Sequence, residues 1–154
     1  SFPTRRSSDL CGCGNKHWGL NGAAGILIVR DHEILLQHRA PWVHNGDTWG
    51  IPGGARDSHE TTTEGAFREA IEETGIDTDL LTVLHTFTDN HGDWKYETVI
   101  ALAAEGLIAQ EVNVESHEVR WVEIEKVNQL PLHPSFAKSW PALKELLYNF
   151  VGPR

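Results

Sequence analysis

Residues Gly53 to Ile76 read GGARDSHETTTEGAFREAIEETGI. The segment Thr61 to Thr74 has the pattern of a helix, closed by Gly75, a favoured residue just past a helix end. A helix turns by about 100° per residue, so Glu69, Glu72 and Glu73 share an arc of about 100°. Ala66, Phe67, Ala70 and Ile71 supply apolar surface for packing on the other sides. Like charges crowded on one helix repel. Either water solvates an acidic face there, or a cation sits among the carboxylates. Arg68 lies four residues after Glu64 and four before Glu72, where it can hold either in place. Hard cations such as Mg²⁺ prefer oxygen ligands and keep room for water and phosphate. Three carboxylates on a rigid support suit such an ion.

The flanking sequence reads as strands and loops. GAAGILIVR (Gly22 to Arg30) and EILLQHR (Glu33 to Arg39) form a hairpin about a turn at Asp31-His32. APWVHNGDTWGIPGG is rich in Gly, Pro, Asn and Trp, which predicts a long surface loop returning into a short strand near Trp49 to Pro52. LLTVLHTFTD, KYETVIALAAE and EVRWVEIEKV read as three further strands, the last with Val119, Trp121 and Ile124 among its apolar positions. SFAKSWPALKELLYNF reads as a C-terminal amphipathic helix, started or broken at Pro141. Strands and helices are mixed along the chain, and there is neither repeat nor linker. One α/β domain is expected.

Composition narrows the function. A chain of 154 residues favours one domain with a sizeable core. With 13 Lys+Arg against 22 Asp+Glu, its net charge of -9 argues against binding a nucleic-acid polymer through phosphates. A small phosphorylated ligand remains open where divalent cations supply the positive charge. No apolar run is long enough to span a bilayer and no signal-peptide pattern opens the chain, so a soluble cytoplasmic protein without a membrane partner is expected.

The opening SFPTRRSSDL (residues 1–10) matches the translation of a widely used sequencing adapter, and the chain holds no Met. We therefore read 1–10 as non-native, the true start as missing, and 11–21 as a lead-in. Removing Arg5, Arg6 and Asp9 leaves 11 basic and 21 acidic residues, a net of -10, so the chain stays acidic without this stretch. Cys11 and Cys13 are too close for an unstrained mutual disulfide. With His17 they could form part of a zinc site, although a closed structural site wants more ligands at wider spacing. A turn leading into the first strand is the alternative.

The spacing is more specific than the acidity. Gly54, five residues, Glu60, seven residues, then Arg68-Glu69-Ala70-Ile71-Glu72-Glu73-Thr74-Gly75-Ile76 resembles the Nudix box, G-x5-E-x7-R-E-U-x-E-E-x-G-U with U a bulky aliphatic residue. Every fixed position is filled. Ala70 is the one departure, small for its U position. The strand order and WGIPGG are also similar to the Nudix fold. The resemblance implies a Nudix-type α/β/α sandwich with a mixed β-sheet, a single domain over 22–150.

What the family does is carried over position by position. Nudix hydrolases cleave a nucleoside diphosphate linked to another moiety X, with Mg²⁺ or Mn²⁺. By resemblance Glu69 and Glu73 are the principal metal ligands, Glu72 assists, and the Gly54 carbonyl completes the site. Arg68 and Glu60 would hold the loop and helix together through an ion pair. Family members often take a general base or extra ligand from a later loop. Glu115, six residues before Trp121, fits that role, with Glu118 next and an ordinary solvated glutamate as the alternative.

Specificity is less legible. Side motifs for NADH, coenzyme A or ADP-ribose are not evident after the box, where the chain reads LHTFTDNHGDWKYE. Trp42, Trp49 and Trp94 could stack on a base or simply pack, and Arg39 could contact a phosphate or simply be solvated. No H-E-x-x-H occurs, so a zinc protease has no support. An acidic calcium-binding helix would need a D-x-D-x-D-G loop that is not present. The expected ligand is a small nucleotide, with an oxidised nucleoside triphosphate among the candidates, and a homodimer stays open. The alternative class is a non-catalytic Nudix-fold nucleotide sensor. Such a domain is expected to have replaced box carboxylates, and none is replaced here.

Overall fold

A computed structural model describes residues 9, 10, 16, 17, 22–90, 95–109 and 116–152. Two short strands, β1 (Asp9–Leu10) and β2 (Lys16–His17), pair antiparallel with each other. The main sheet holds β3 (Ala23–Arg30), β4 (Glu33–Arg39), β5 (Trp49–Gly50), β6 (Gly53–Ala55), β7 (Leu81–Asn90), β8 (Lys95–Ala103) and β9 (Ser116–Glu123). Its order is β5-β4-β3-β8-β7, with β6 added to β3 and β9 to β4. β3 and β8 run parallel and the other pairs antiparallel, so the sheet is mixed.

The long apolar run of β3 follows from burial on both faces. Its even positions Ala24, Ile26 and Ile28 pack with Ala66 and Ala70 of helix α1 (Thr62–Thr74). Its odd positions Leu27 and Val29 pack with Phe136, Trp140, Leu143 and Leu147 of helix α2 (Pro134–Val151). The sheet lies between the two helices. This is the expected α/β/α sandwich.

The β3–β4 hairpin forms about Asp31-His32, but its register covers only Val29↔Ile34 and Arg30↔Glu33. Beyond that the two strands part. β3 takes β6 as its neighbour, through Ala23↔Ala55, Ala24↔Gly54 and Gly25↔Gly53. β4 takes β5, through Gln37↔Gly50 and His38↔Trp49. The sheet therefore forks, and Ile51-Pro52 crosses between its arms. The strand expected over Trp49 to Pro52 ends at Gly50. Proline has no ladder donor, and Pro52 instead offers its carbonyl to Ile26 N at 2.9 Å.

Two more boundaries differ from the sequence reading. β9 ends at Glu123, and Ile124–Gln129 coil into a 3₁₀ turn instead of prolonging the strand. Side chains three apart superpose in a 3₁₀ turn, which buries Ile124 and Val127 together. α2 neither starts nor breaks at Pro141. It begins at Pro134, where proline is favoured, and runs through Pro141 to Val151. Burial of side chains at 136, 140, 143 and 147 outweighs the ~3 kcal/mol that an interior proline costs.

Helix α1 is placed by its ends. Thr61 Oγ1 accepts from Glu64 N at 3.1 Å while Glu64 Oε1 accepts from Thr61 N at 2.9 Å, a reciprocal capping box. Gly75 closes the helix at φ 65°, a left-handed conformation that glycine adopts without strain.

Candidate active site

Arg68 organises the acidic helix. Its Nε and Nη2 donate to the two carboxylate oxygens of Glu60, at 2.5 and 3.0 Å, a bidentate pair. Nη2 also donates to the Ala55 carbonyl at 3.0 Å. Nη1 reaches Glu69 Oε2 at 2.9 Å and Glu72 Oε2 at 3.5 Å. The expected Arg68–Glu60 ion pair is thus present, and Arg68 holds Glu72 while Glu64 serves the helix cap. Glu60 in turn accepts from Asp57 N at 2.8 Å, so the loop after β6 is tied to the helix.

Glu69 and Glu73 are both buried. Burial pushes the Glu69 carboxyl above its ordinary range, and Glu72 adds repulsion against the pull of Arg68 and Glu73. The Glu73 carboxyl is pushed up further, by burial first and then by Glu69. One oxygen of each carboxylate has a donor. Glu69 Oε2 has Arg68, and Glu73 Oε1 has Gln37 Nε2 at 2.7 Å and Gly53 N at 3.4 Å. The other oxygens, Glu69 Oε1 and Glu73 Oε2, are buried with no donor among the described residues, as is Glu72 Oε1. Buried anionic oxygens of this kind carry a large desolvation cost. A proton or a cation relieves it.

Gly54 lies directly against this group. A Cβ there would stand 2.7 Å from Glu69 Cδ and 2.8 Å from each of its oxygens, so only glycine lets the backbone approach. Among the described residues no three His, Cys, Asp or Glu side chains are already arranged to hold a metal ion. Arg68 Nη1, bonded to both Glu69 and Glu72, keeps those two carboxylates on itself. The donor set still fits a hard divalent cation, because three hard oxygens without donors among the described residues come from one helix beside a close backbone.

Two residues near the carboxylates are not singled out by sequence. Gln37 is the buried amide that grips Glu73, and its only signal is a polar residue following the apolar Ile34-Leu35-Leu36. The Tyr96 hydroxyl lies beside Gly25 and Gly53, where a Cβ on Gly25 would come 2.5 Å from it and one on Gly53 3.1 Å. Burial, with Glu73 and Glu69 nearby, pushes this phenol up, so it stays neutral.

The remaining residues singled out by sequence have the following surroundings. Arg39, two residues along β4 from Gln37, donates through Nε to the His44 carbonyl at 3.1 Å and braces its own loop. Trp49 is buried, with the His38 ring 4.8 Å and the Arg120 guanidinium 4.7 Å from its ring. Trp42 is 70% exposed. Glu118 pairs with Arg120 at 2.9 Å and sits in register with His38. Neighbouring positions on a strand face opposite ways, so Glu118 lies on the other face from Gln37. Glu115, Trp94, Cys11 and Cys13 lie outside the described residues, as do the side-chain contacts of His17.

The NUDIX domain family matches residues 19–143, a span that takes in the glycine turn, the acidic helix and most of α2. The chain belongs to the Nudix family. It is 46% identical over 144 residues to the Mycobacterium tuberculosis (strain H37Rv) protein named "Putative 8-oxo-dGTP diphosphatase 3", covering 85% of this chain and 65% of that one. It is 41% identical over 140 residues to a nucleoside triphosphate pyrophosphatase/Nudix hydrolase fusion protein of Bifidobacterium longum, covering 85% of this chain and 29% of the relative. The chain thus spans under two thirds of the length of these curated relatives. Among solved structures, the Nudix hydrolase RenU of M. smegmatis superposes with a TM-score of 0.84 at 44% identity, covering 94% of this chain and 96% of the other. A C. elegans Ap4A hydrolase shares the fold, with a TM-score of 0.68 at 22% identity. No helix among the described residues of this Nudix chain is long and apolar enough to cross a membrane.

Proposed function

We propose that this Nudix chain hydrolyses the pyrophosphate linkage of a nucleoside diphosphate joined to another group, with Mg²⁺ or Mn²⁺ held at α1. The observation that carries this reading is the set of buried oxygens on Glu69, Glu72 and Glu73, beside Gly54, that have no donor among the described residues. A divalent cation, when bound, would offset the charge of the pyrophosphate and lower the pKa of a water, so that it can give up its proton and attack phosphorus. The chain's own residues do the rest. Glu69 and Glu73 supply the negative charge that selects the cation, Glu72 assists, and the Gly54 carbonyl adds a neutral oxygen. Arg68 and Glu60 fix the helix against the loop, which keeps the three carboxylates on one rigid support. Arg39 and Trp94 are assigned to the substrate, and Glu115 to the proton of the attacking water or to an additional ligand. The names of the M. tuberculosis and B. longum relatives point to a nucleoside triphosphate, and among these to an oxidised guanine nucleotide.

The test is product release across a panel of nucleoside triphosphates, 8-oxo-dGTP, dinucleoside polyphosphates and nucleotide sugars, with and without Mg²⁺. We expect cation-dependent hydrolysis, with 8-oxo-dGTP giving a monophosphate and pyrophosphate. Tight nucleotide binding without turnover on any member of the panel would sink the hydrolase reading and make the chain a sensor.

A further inference from the structure

A buried amide must place its hydrogen bonds inside the protein. Gln37 is buried at the end of the apolar segment of β4, and its register places Gly50 on one side and Val119 on the other. Its Nε2 donates to Glu73 Oε1 at 2.7 Å across 36 positions of sequence. Gly53 N points to the same oxygen. Both donors thus fall on Oε1, and Oε2 is left buried without one among the described residues. The carboxylate is differentiated into a held oxygen and an offered one.

We infer that Gln37 is a positioning residue for the cation, anchoring Glu73 through Oε1 so that Oε2 is aimed at the ion. This rests on the cation site proposed above and assigns the part that orients it. The residue type follows from the task. A neutral amide fixes a carboxylate without cancelling its charge, whereas an ammonium in its place would compete with the cation. Outer residues that orient metal ligands typically control metal affinity by about 10- to 100-fold.

The experiment is a calorimetric titration with Mn²⁺ alone, on the wild-type chain, Gln37→Met and Glu73→Gln, alongside melting curves without metal. Methionine keeps the length and volume of Gln37 and removes the donor. We expect the Mn²⁺ dissociation constant of Gln37→Met to rise about 10- to 100-fold, and kcat at saturating cation to fall more than KM changes. Unchanged Mn²⁺ affinity in a folded Gln37→Met would overturn the assignment. If Glu73→Gln binds Mn²⁺ like the wild type, the cation site itself is wrong, whatever Gln37 does. Should Gln37→Met not fold, the wild-type chain supplies the answer through its side-chain amide NMR signals, since it has only three glutamines to assign. Slow exchange of the Gln37 NH₂ and a shift on adding Mg²⁺ are expected. Fast exchange, or no response to saturating Mg²⁺, would overturn the assignment equally.

Discussion

Gly54 and Glu69 approach so closely that not even a methyl group fits between them, since its carbon would stand 2.7 Å from Glu69 Cδ. Gly54→Ala must therefore displace either the carboxylate or the β6 backbone. Overpacking of this kind costs about 1–3 kcal/mol. We expect Gly54→Ala to fold with a lower melting temperature and to lose most of its hydrolytic activity at any Mg²⁺ concentration. An active enzyme with wild-type cation dependence would show that this contact does not shape the site.

Arg68→Lys keeps the charge and loses the fork. Lysine is a point charge and cannot hold Glu60 through two parallel bonds while also reaching Glu69, Glu72 and the Ala55 carbonyl. The pair is only partly buried, so the loss should be about 1–3 kcal/mol. At about 2–4 °C per kcal/mol for a chain of this size, a thermal melt resolves it. A variant melting with the wild type would mean that Arg68 adds little to the link between loop and helix.

His133 gives stability a dependence on pH. Its Nδ1 accepts from Ser135 N at 3.1 Å to cap α2, which requires that nitrogen to be unprotonated. Burial, with Arg39 and His44 nearby, lowers the imidazole from 6.5 to about 4. Between these values the unfolded chain binds a proton that the folded chain refuses, so stability is present above pH 6.5 and is lost as pH falls toward 4. The imidazole is partly exposed, and screening limits the effect to about 1 kcal/mol. His133→Asn retains a good cap and does not titrate. Melting curves at neutral and acidic pH should therefore diverge less in the variant, and equal divergence would remove His133 from the account.

Glu115 is tested as a base by kinetics. A catalytic base produces a limb on which rate rises with pH through its own pKa. Glu115→Gln should lower kcat strongly, leave KM much less changed and alter the acidic limb. Recovery on adding Mn²⁺ would make it a ligand instead, and a wild-type pH profile would make it a bystander.

The elements legible in the sequence are those whose information is local. α1 is marked by its periodicity, its Thr61 end and Gly75, whereas helical spacing offers Arg68 to Glu64 or Glu72 and only the resemblance to the Nudix box points it to Glu60. Pro141 misleads because proline speaks only for local backbone cost, while the stripe Phe136, Trp140, Leu143 and Leu147 that overrides it is a tertiary effect. Ile124 fits a strand by hydropathy, and only its packing with Val127 shows why the chain coils there. Gln37 and Tyr96 escape sequence reasoning on similar grounds. The bond from Gln37 to Glu73 spans 36 positions and Tyr96 comes beside Gly25 and Gly53 only through the fold, and nothing in EILLQHR or KYETVIALAAE by itself tells where an amide or a phenol will lie.

The fork in the sheet has a mechanical consequence. Gln37 belongs to the β4 arm and Gly53 to the β3–β6 arm, yet both address the same oxygen of Glu73. That carboxylate acts as a rivet across the split. A ligand that spreads or closes the arms must strain or tighten the rivet, and by thermodynamic reciprocity an ion gripping Glu73 alters how readily the arms move. A ligand that closes the arms would then favour an ion on the acid cluster, and one that spreads them would oppose it. An exchange experiment on the backbone amides of Gly53 and Leu36 would register one event by the presence of the other.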